Sequence, residues 1–444
     1  MARIEKILVA NRGEIALRAI RTIKEMGKQA IAVYSVADKD ALYLQYADAS
    51  ICIGGAKSSE SYLSIPAIIS AAEISGCDAI FPGYGFLSEN QSFVEICQHH
   101  GIKFIGPSVD SMVLMSDKSK AKEVMKQAGV PVIMGSDGAL RNVEQARELA
   151  KSIGLPVIIK ASAGGGGRGM RVVEKIEDVE KSFLACESEA LSAFGDGTLY
   201  MEKYIKNPRH IEVQVLADSH GNVVHIGERD CSMQRRHQKL IEESPAIALD
   251  EQTRANLHAV AVKATKHIGY ENAGTFEFLL DANKNFYFME MNTRLQVEHC
   301  VSEMVSGIDI IEWMIRVAEG EKLFDQSALS FKGHSIECRI TAEDPVKFIP
   351  SPGKITKYII PGGRNVRMDS HAYQGYVVPP HYDSMIGKLV VWGEDRTRAI
   401  AKMKQALSEL QIEGIKTVRD FHLNMMGNAD FIENTFDTNY LSRY

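Results

Sequence analysis

The first third of the chain alternates short apolar runs with amphipathic helical stretches, and that rhythm leaves few arrangements open. "KILVAN", "GEIALRAIRTIKEMG", "QAIAVYS", "SIPAIISAAEISG", "DAIFPGYG" and "GIKFIG" follow one another within the first 106 residues. Strand, helix and strand in succession need crossover connections, so the strands lie parallel in one sheet with helices on its faces. The turn after the first strand, Asn11-Arg12-Gly13, has one glycine where a dinucleotide fingerprint has three, which argues against a dinucleotide there. Next, "LMSDKSKAKEVMKQAG", 114–129, predicts a helical connection opened by a Ser/Asp cap and ended by Gly129 before Val130-Pro131.

Beyond that connection the pattern changes. "HIEVQVLAD" alternates with period two, turns at 218–222 and continues as "VVHIGERD", which predicts a hairpin. "AGTFEFLLD" and "FYFMEMN" predict a second hairpin across the polar loop "ANKN". Helices are expected near 252–268, 307–319 and 395–410, and strands in "GHSIECRITAED", "GKITKYII" and "DSMIGKLVVWG". The fold class is therefore α/β and α+β in several domains. The expected division is a parallel-sheet domain at 1–113, a helical linker at 114–130, a lid at 131–204, a body at 205–332 and a mainly β C-terminal region at 333–444.

The lid contains "IIKASAGGGGRGMRVV", with four consecutive glycines between two apolar runs. Gly164, Gly166 and Gly169 satisfy G-x-G-x-x-G, but a strand-like run, 170–173, follows them where that motif needs a helix. A Walker loop would end in Gly-Lys-Ser/Thr, and this stretch has Gly167-Arg168-Gly169. What remains is a hairpin flap whose backbone N–H groups can lie over phosphates without side-chain obstruction.

Charge and cysteine content narrow the function. A net charge of -6 argues against a general nucleic-acid or membrane-surface role, so an anionic ligand would need a local basic site. The opening "MARIEKILVANRGEIALRAI" has no signal-peptide core, and no apolar run has transmembrane length, which predicts a cytoplasmic protein. Seven scattered cysteines, none in C-x-x-C spacing, predict reduced thiols.

The chemistry concentrates in the second hairpin. Glu290 and Asn292 share a strand face, and the hairpin can bring Glu277 across from them. Two carboxylates and an amide oxygen among aromatic residues suit Mg²⁺ carrying nucleotide phosphates. In "NTRLQVEH", Arg294, Gln296 and Glu298 alternate with Thr293, Leu295 and Val297, so an extended chain would continue the polar row. An arginine there can grip an oxyanion, and a carboxylate can act as base if its pKa is raised. "RDCSMQRRHQKLIEE" gathers Arg235, Arg236, His237 and Lys239 into a basic patch suited to phosphate or carboxylate groups. Lys160 directly precedes the glycine flap, where a phosphate ligand would sit.

With these residues in view, the chain resembles the ATP-grasp superfamily and, over essentially its whole length, the biotin carboxylase family. The stretches that carry the resemblance are "ANRGEIALR", "FPGYGFLSEN", "FIGPS", "IIKASAGGGGRGMR", "MEKYI", "RHIEVQVLAD", "ERDCSMQRRHQK", "GTFEF", "EMNTRLQVEH", "ECRI", "AEDP" and "PSPGKI". It departs from the common pattern at Cys300, where proline is usual, and at Ala163, where glycine is. The resemblance implies a pre-ATP-grasp domain first, then the ATP-grasp lid and body. It implies that Lys118 and Lys160 hold ATP phosphates under Gly166 and Gly167, that Glu202, Lys203, Tyr204 and Ile205 contact adenine, and that His210, Gln234 and His237 complete the nucleotide site. Glu277, Glu290 and Asn292 would bind Mg²⁺ or Mn²⁺; Lys239, Arg294, Gln296 and Val297 would cradle bicarbonate. Glu298 would be the base, and Arg339 would bind the biotin ureido group.

The implied activity is ATP-dependent carboxylation of biotin. The chain carries no biotinylation motif; "AKMK" (401–404) only superficially echoes one, so biotin is expected on a separate carrier protein. The partners so implied are a biotin carboxyl carrier protein, carboxyltransferase subunits and a second copy of the chain, in an acetyl-CoA carboxylase serving fatty acid synthesis. Alternatives are a two-subunit pyruvate carboxylase, another acyl-CoA carboxylase, or a nucleotide-binding regulatory subunit without turnover; the last would lack the base or metal residues.

Overall fold

The computed structural model describes residues 3–162 and 169–443. Strands β1 (Lys6–Val9), β2 (Gln29–Tyr34), β3 (Ala49–Cys52), β4 (Ala79–Phe81) and β5 (Lys103–Phe104) form the expected parallel sheet, in the order β3, β2, β1, β4, β5. Helices α1 (Gly13–Glu25), α2 (Ile65–Ser75) and α3 (Gln91–His99) cover it. Along β1, Ile7 and Val9 join the core under α1, while Leu8 joins the core on the other face with Ile68 of α2 and Phe93 of α3. The single-glycine turn after β1 is a clamp. Asn11 Nδ2 donates to the Pro82 and Tyr84 carbonyls at 2.7 and 2.8 Å, and Arg12 holds Asp38 at 2.6 Å.

The expected helical connection is two helices. After α4 (Val109–Ser116), Asp117 takes φ -86, ψ 105, and α5 (Lys118–Gln127) restarts with Lys118 in its first turn. Asp117 Oδ1 accepts from the Lys120 N–H at 3.1 Å, so the predicted cap exists but sits between the helices. The chain closes at Gly129, with φ +78.

In the lid, β6 (Val157–Ala161) pairs antiparallel with β7 (Met170–Val173) on one side and β8 (Leu199–Lys203) on the other. The expected flap hairpin is formed on both flanks; Gly164, Gly166 and Gly167 lie outside the described residues. Helices α6 (Val143–Ile153) and α7 (Val179–Phe194) pack on this sheet. Val157, Ile159 and Ala161 fill the lid core, which leaves Lys160 on the opposite face.

Both predicted hairpins are present and belong to one larger sheet. Strands β9 (Arg209–Ala217), β10 (Val223–Arg235), β11 (Gln238–Ser244), β12 (Asn272–Leu280), β13 (Phe286–Asn292) and β14 (His334–Thr341) run in the order β13, β12, β9, β10, β11, β14. Strands Met385–Gly393 and Val366–Ser370 then extend this sheet, so it continues unbroken across residue 333. One face of β9, β12 and β13 is apolar: Ile211, Val213, Phe276, Phe278 and Phe288 pack with Leu257 and Ala261 of α8 (Glu251–His267). Beyond β11, Ile336, Cys338, Leu389 and Val391 build a separate core with Ile400 and Met403 of the helix Arg396–Glu409. The other face is polar yet buried, and α9 (His299–Ser306) lies near it.

Candidate active site

That buried polar face assembles the site. Strand periodicity places Glu212 and Gln214 of β9 opposite Glu277 and Thr275 of β12, and Glu277 opposite Glu290 of β13. All of these except Glu290 are almost completely buried. Glu277 Oε1 accepts from Asn292 Nδ2 at 2.6 Å, from Gln296 Nε2 at 2.7 Å and from Lys239 Nζ at 3.2 Å. Its Oε2 lies 2.9 Å from His210 Nε2. Glu290 is more open and lies 3.6 Å from Lys118 Nζ. Glu277, Glu290 and Asn292 are thus neighbours on this face, and carboxylate and amide oxygens are the ligands a hard divalent cation takes; the Asn292 amide here turns its nitrogen to Glu277.

Charges on this face are shared around a few cations. Lys239 Nζ contacts Glu212 and donates to Glu298 Oε1 at 2.7 Å as well as to Glu277. Arg339 Nη2 donates to the other Glu298 oxygen at 2.9 Å. Arg229, wholly buried, donates to Gln296 Oε1 at 2.6 Å, Gln214 Oε1 at 2.9 Å and Glu212 Oε2 at 3.3 Å. Such groups are tolerated inside a protein only because nearly every one is paired. Burial alone would raise the Glu298 pKa, but Lys239, Arg339 and Arg229 outweigh it and hold the carboxylate below its ordinary range. The raised pKa that a base would need is therefore not present with these partners in place, because two cations touch the carboxylate directly. His210 moves the other way: burial disfavours its charge, yet Glu277 and Glu212 push its pKa up to about 9.

The row Arg294, Gln296, Glu298 is not an extended strand. β13 ends at Asn292, the chain turns, and Glu298 stands at the start of α9 without a side-chain capping bond. The reason lies in the first domain: Glu89 accepts from the Thr293 N–H at 3.0 Å and from Arg294 Nε at 2.7 Å, drawing the chain aside. The three side chains still converge, since Arg294 Nη2 donates to Asn292 Oδ1 at 2.8 Å and Gln296 and Glu298 meet the cations above. The Val297 carbonyl, between them, accepts from Lys388 Nζ at 2.7 Å. At the departure point, Cys300 fits into α9 and its Sγ donates to Asp369 at 3.2 Å.

At the hinge between lid and body, Lys160 Nζ donates to Glu202 Oε2 at 2.7 Å, and Lys122 of α5 contacts the other Glu202 oxygen. Lys203 Nζ is tied to the Gly154 and Leu155 carbonyls at 2.8 and 2.9 Å, and the Tyr204 N–H donates to Pro156 at 3.0 Å; Ile205 is half-buried beside them. The predicted basic patch divides. Lys239 enters the site; Arg235 stacks on Phe348, 4.3 Å from the ring centroid, while Arg236 and His237 occupy an exposed turn with φ +51 and +65. Gln234 is buried and donates to the Cys231 carbonyl at 3.4 Å. Reading the sequence missed Lys122, Glu212, Arg229, Glu242, Glu89 and Lys388. A charged residue inside an otherwise apolar strand, as in "MIGKLVVW" and "HIEVQVLAD", is the signal that would have found two of them, Lys388 and Glu212.

A lid hairpin over an antiparallel sheet that presents acids and cations to a nucleotide is the ATP-grasp arrangement, and 117–326 matches the family model described as carbamoyl-phosphate synthase L chain, ATP binding domain. Residues 3–112 match the biotin carboxylase N-terminal domain and 337–443 the biotin carboxylase C-terminal domain. The chain is 56% identical over 444 residues to biotin carboxylase 1, chloroplastic, of Populus trichocarpa, covering all of this chain and 84% of that protein. It is 52% identical over 441 residues to a pyruvate carboxylase subunit of Methanothermobacter thermautotrophicus, covering 99% of this chain and 90% of that one. Among solved structures, the biotin carboxylase–β-γ-ATP complex from Campylobacter jejuni superposes with a TM-score of 0.96 at 75% identity, covering 100% and 99% of the two chains. The chain belongs to the biotin carboxylase family.

Proposed function

We propose that the chain catalyses ATP-dependent carboxylation of biotin on a separate carrier protein, as the biotin carboxylase subunit of an acetyl-CoA carboxylase. One observation carries the reading: Glu298 is held between Lys239 and Arg339 on the buried polar face that also presents Glu277 and Asn292. In the proposed reaction, bicarbonate binds among Lys239, Arg294, Gln296 and Val297. As Lys239 and Arg339 turn toward the bound substrates, Glu298 loses its counterions and becomes basic enough to take the bicarbonate proton. The bicarbonate oxygen attacks the γ-phosphorus, the bond to ADP breaks, and carboxyphosphate forms. Carboxyphosphate breaks down to CO₂ and phosphate; phosphate takes the N1′ proton of biotin, and Arg339 stabilises the enolate that captures CO₂.

Lys118 and Lys160 hold phosphates beneath Gly166 and Gly167, with adenine at Glu202, Lys203, Tyr204 and Ile205, and His210, Gln234 and His237 completing the nucleotide pocket. Glu277, Glu290 and Asn292 would hold magnesium, which supplies charge neutralisation during phosphoryl transfer. The lid, 131–204, closes to exclude water from carboxyphosphate. The proposed partners are a carrier protein, carboxyltransferase subunits and a second copy of the chain, in the cytoplasm; among the described residues no helix is long and apolar enough to cross a membrane. The likeness to a pyruvate carboxylase subunit supports a second reading, in which the same reaction serves pyruvate.

The test is ADP release with bicarbonate, with and without free biotin, for wild type and Glu298→Ala. Biotin stimulates wild type, and the variant loses that stimulation by roughly a hundredfold or more, as expected for removal of a general base. A wild type indifferent to biotin, or a variant equal to it, overturns the reading. Pull-down of the carrier protein then separates acetyl-CoA from pyruvate carboxylase.

A further inference from the structure

Arg339 gives Glu298 only part of its guanidinium. Nη2 donates to Glu298 Oε2 at 2.9 Å, while Nε donates to Glu242 Oε1 at 2.6 Å. Glu242 lies on β11, completely buried, and it stands on the polar face because of an irregularity in its strand. Met233 pairs with Ile241 and Gln234 with Lys239, so Leu240 is an extra residue with no partner of its own. This bulge shifts the alternation and turns Lys239 and Glu242 toward the same side. The two therefore approach Glu298 from one strand, Lys239 directly and Glu242 through Arg339.

The far side of Glu242 is unusual. Among the described residues its Oε2 has no hydrogen-bond partner, and Glu337, directly opposite in the β11 and β14 register, has none on either oxygen. Two facing buried carboxyls, near Arg339 on the site side and Lys388 beside Glu337, are both pushed upward by burial in spite of these cations and do not both ionise, so the pair retains a proton. Burial pushes Glu242 up to about 7 against the opposing pull of Arg339. What Arg339 Nε requires from Glu242 is thus a well-placed acceptor oxygen more than a full negative charge.

We infer that Glu242 is the positioning residue of Arg339: by occupying Nε it prevents the guanidinium from closing as a two-pronged fork on Glu298 and keeps the remaining N–H groups free for substrate. Without that acceptor the planar fork matches the nearest carboxylate, which is Glu298. The base would be quenched and the substrate contact withdrawn together. This inference rests on the proposed roles of Glu298 and Arg339.

Glutamine and aspartate separate geometry from charge. Glu242→Gln keeps an oxygen at the same reach without charge; Glu242→Asp keeps the charge but falls one methylene short. Full-length variants are compared for biotin-stimulated ADP release and for KM for ATP. Glu242→Gln is expected within about threefold of wild-type kcat, and Glu242→Asp about 10- to 100-fold lower, the usual range for losing a residue that orients a functional side chain, with KM for ATP unchanged. Aspartate outperforming glutamine, the two variants equal, or KM for ATP rising in step with the loss overturns the inference. A wild type that biotin does not stimulate sinks the functional reading instead, before any variant is compared.

Discussion

Lys239→Met removes one charge from the centre of the polar face while keeping most of the side chain's length. Lys239 serves Glu212, Glu277 and Glu298 together. Burial opposes ionisation of all three, yet each is held below the ordinary carboxylate range, with Lys239 the largest attractive influence on each. For a depressed carboxylate, the stabilising contribution is present above the unfolded pKa of 4.5 and is lost as pH falls through the folded value. In wild type, then, these groups contribute fully from about pH 5.5 to 8. The variant leaves Glu298 with Arg339, Glu277 with His210, and Glu212 with Arg229 and His210. Three buried carboxylates then share three cations, one of which is also committed to Glu242. At least one carboxylate rises above 4.5, and each unit of that rise removes about 1.4 kcal/mol once pH exceeds the new value. Breaking a buried pair in this way costs roughly 3–5 kcal/mol. The sign of the pH dependence therefore inverts: the variant is closer to wild type at pH 5.5 than at pH 8. Urea midpoints followed by tryptophan fluorescence at the two pH values measure it. A loss under about 1 kcal/mol, or an equal loss at both pH values, would refute the claim that Lys239 is the shared counterion.

Two further outcomes follow from charges that reading the sequence does not assign. Glu337 is held well above its ordinary range by burial, with no hydrogen-bond partner on either oxygen among the described residues. A raised carboxyl keeps its proton in the fold and loses it on unfolding, so it costs stability increasingly as pH rises above 4.5. Glu337→Gln should raise the urea midpoint more at pH 8 than at pH 5.5; a pH-independent change would count against it. At the hinge, Lys122 and Lys160 share Glu202, and the ring of Tyr200 lies 5.2 Å from Lys122 Nζ. If Lys122 turns to the nucleotide when ATP binds, Lys122→Met raises KM for ATP about fivefold, the equivalent of ~1 kcal/mol for a partly solvated charge contact, with kcat nearly unchanged. An unaltered KM would make Lys122 a structural partner of Glu202 alone.

How much is legible in the sequence follows the range of the interactions. Glu277, Glu290 and Asn292 come together by parity because one short loop joins β12 and β13, so local register decides which residues face each other. Parity fails for Lys239 and Glu242, three positions apart, because the Leu240 bulge is invisible to a period-two count. It fails again after Asn292, where Glu89, 205 residues from Arg294, bends a chain that local pattern would leave extended. Arg229 reads as an ordinary residue of a hairpin; its importance lies in Glu212 and Gln296, which approach from another strand and from the loop before α9. The direction of the Glu298 shift is equally out of reach, since it depends on two cations contributed by β11 and β14.

Those long-range contacts also explain why the site is inseparable from the whole chain. The segment 205–332 supplies Glu212, Lys239, Glu277 and Glu298 together with most of their partners, but not the arginine that completes the pairing of Glu298. Arg339 comes from β14, and Lys388, which holds the Val297 carbonyl, comes from the next strand of the same sheet. Lys388 in turn lies 3.3 Å from Glu14 of α1, so the loop that presents Val297 and Glu298 is braced through one buried lysine against the first domain. Removing the C-terminal segment would leave the Glu298 carboxylate and the Val297 carbonyl without these donors, and removing the first would leave Lys388 and Arg294 without Glu14 and Glu89, each a cost of roughly 1–3 kcal/mol or more. Extending the sheet past residue 333 therefore does more than enlarge a core: it delivers Arg339 and Lys388, which complete the pairing of Glu298 and of the Val297 carbonyl.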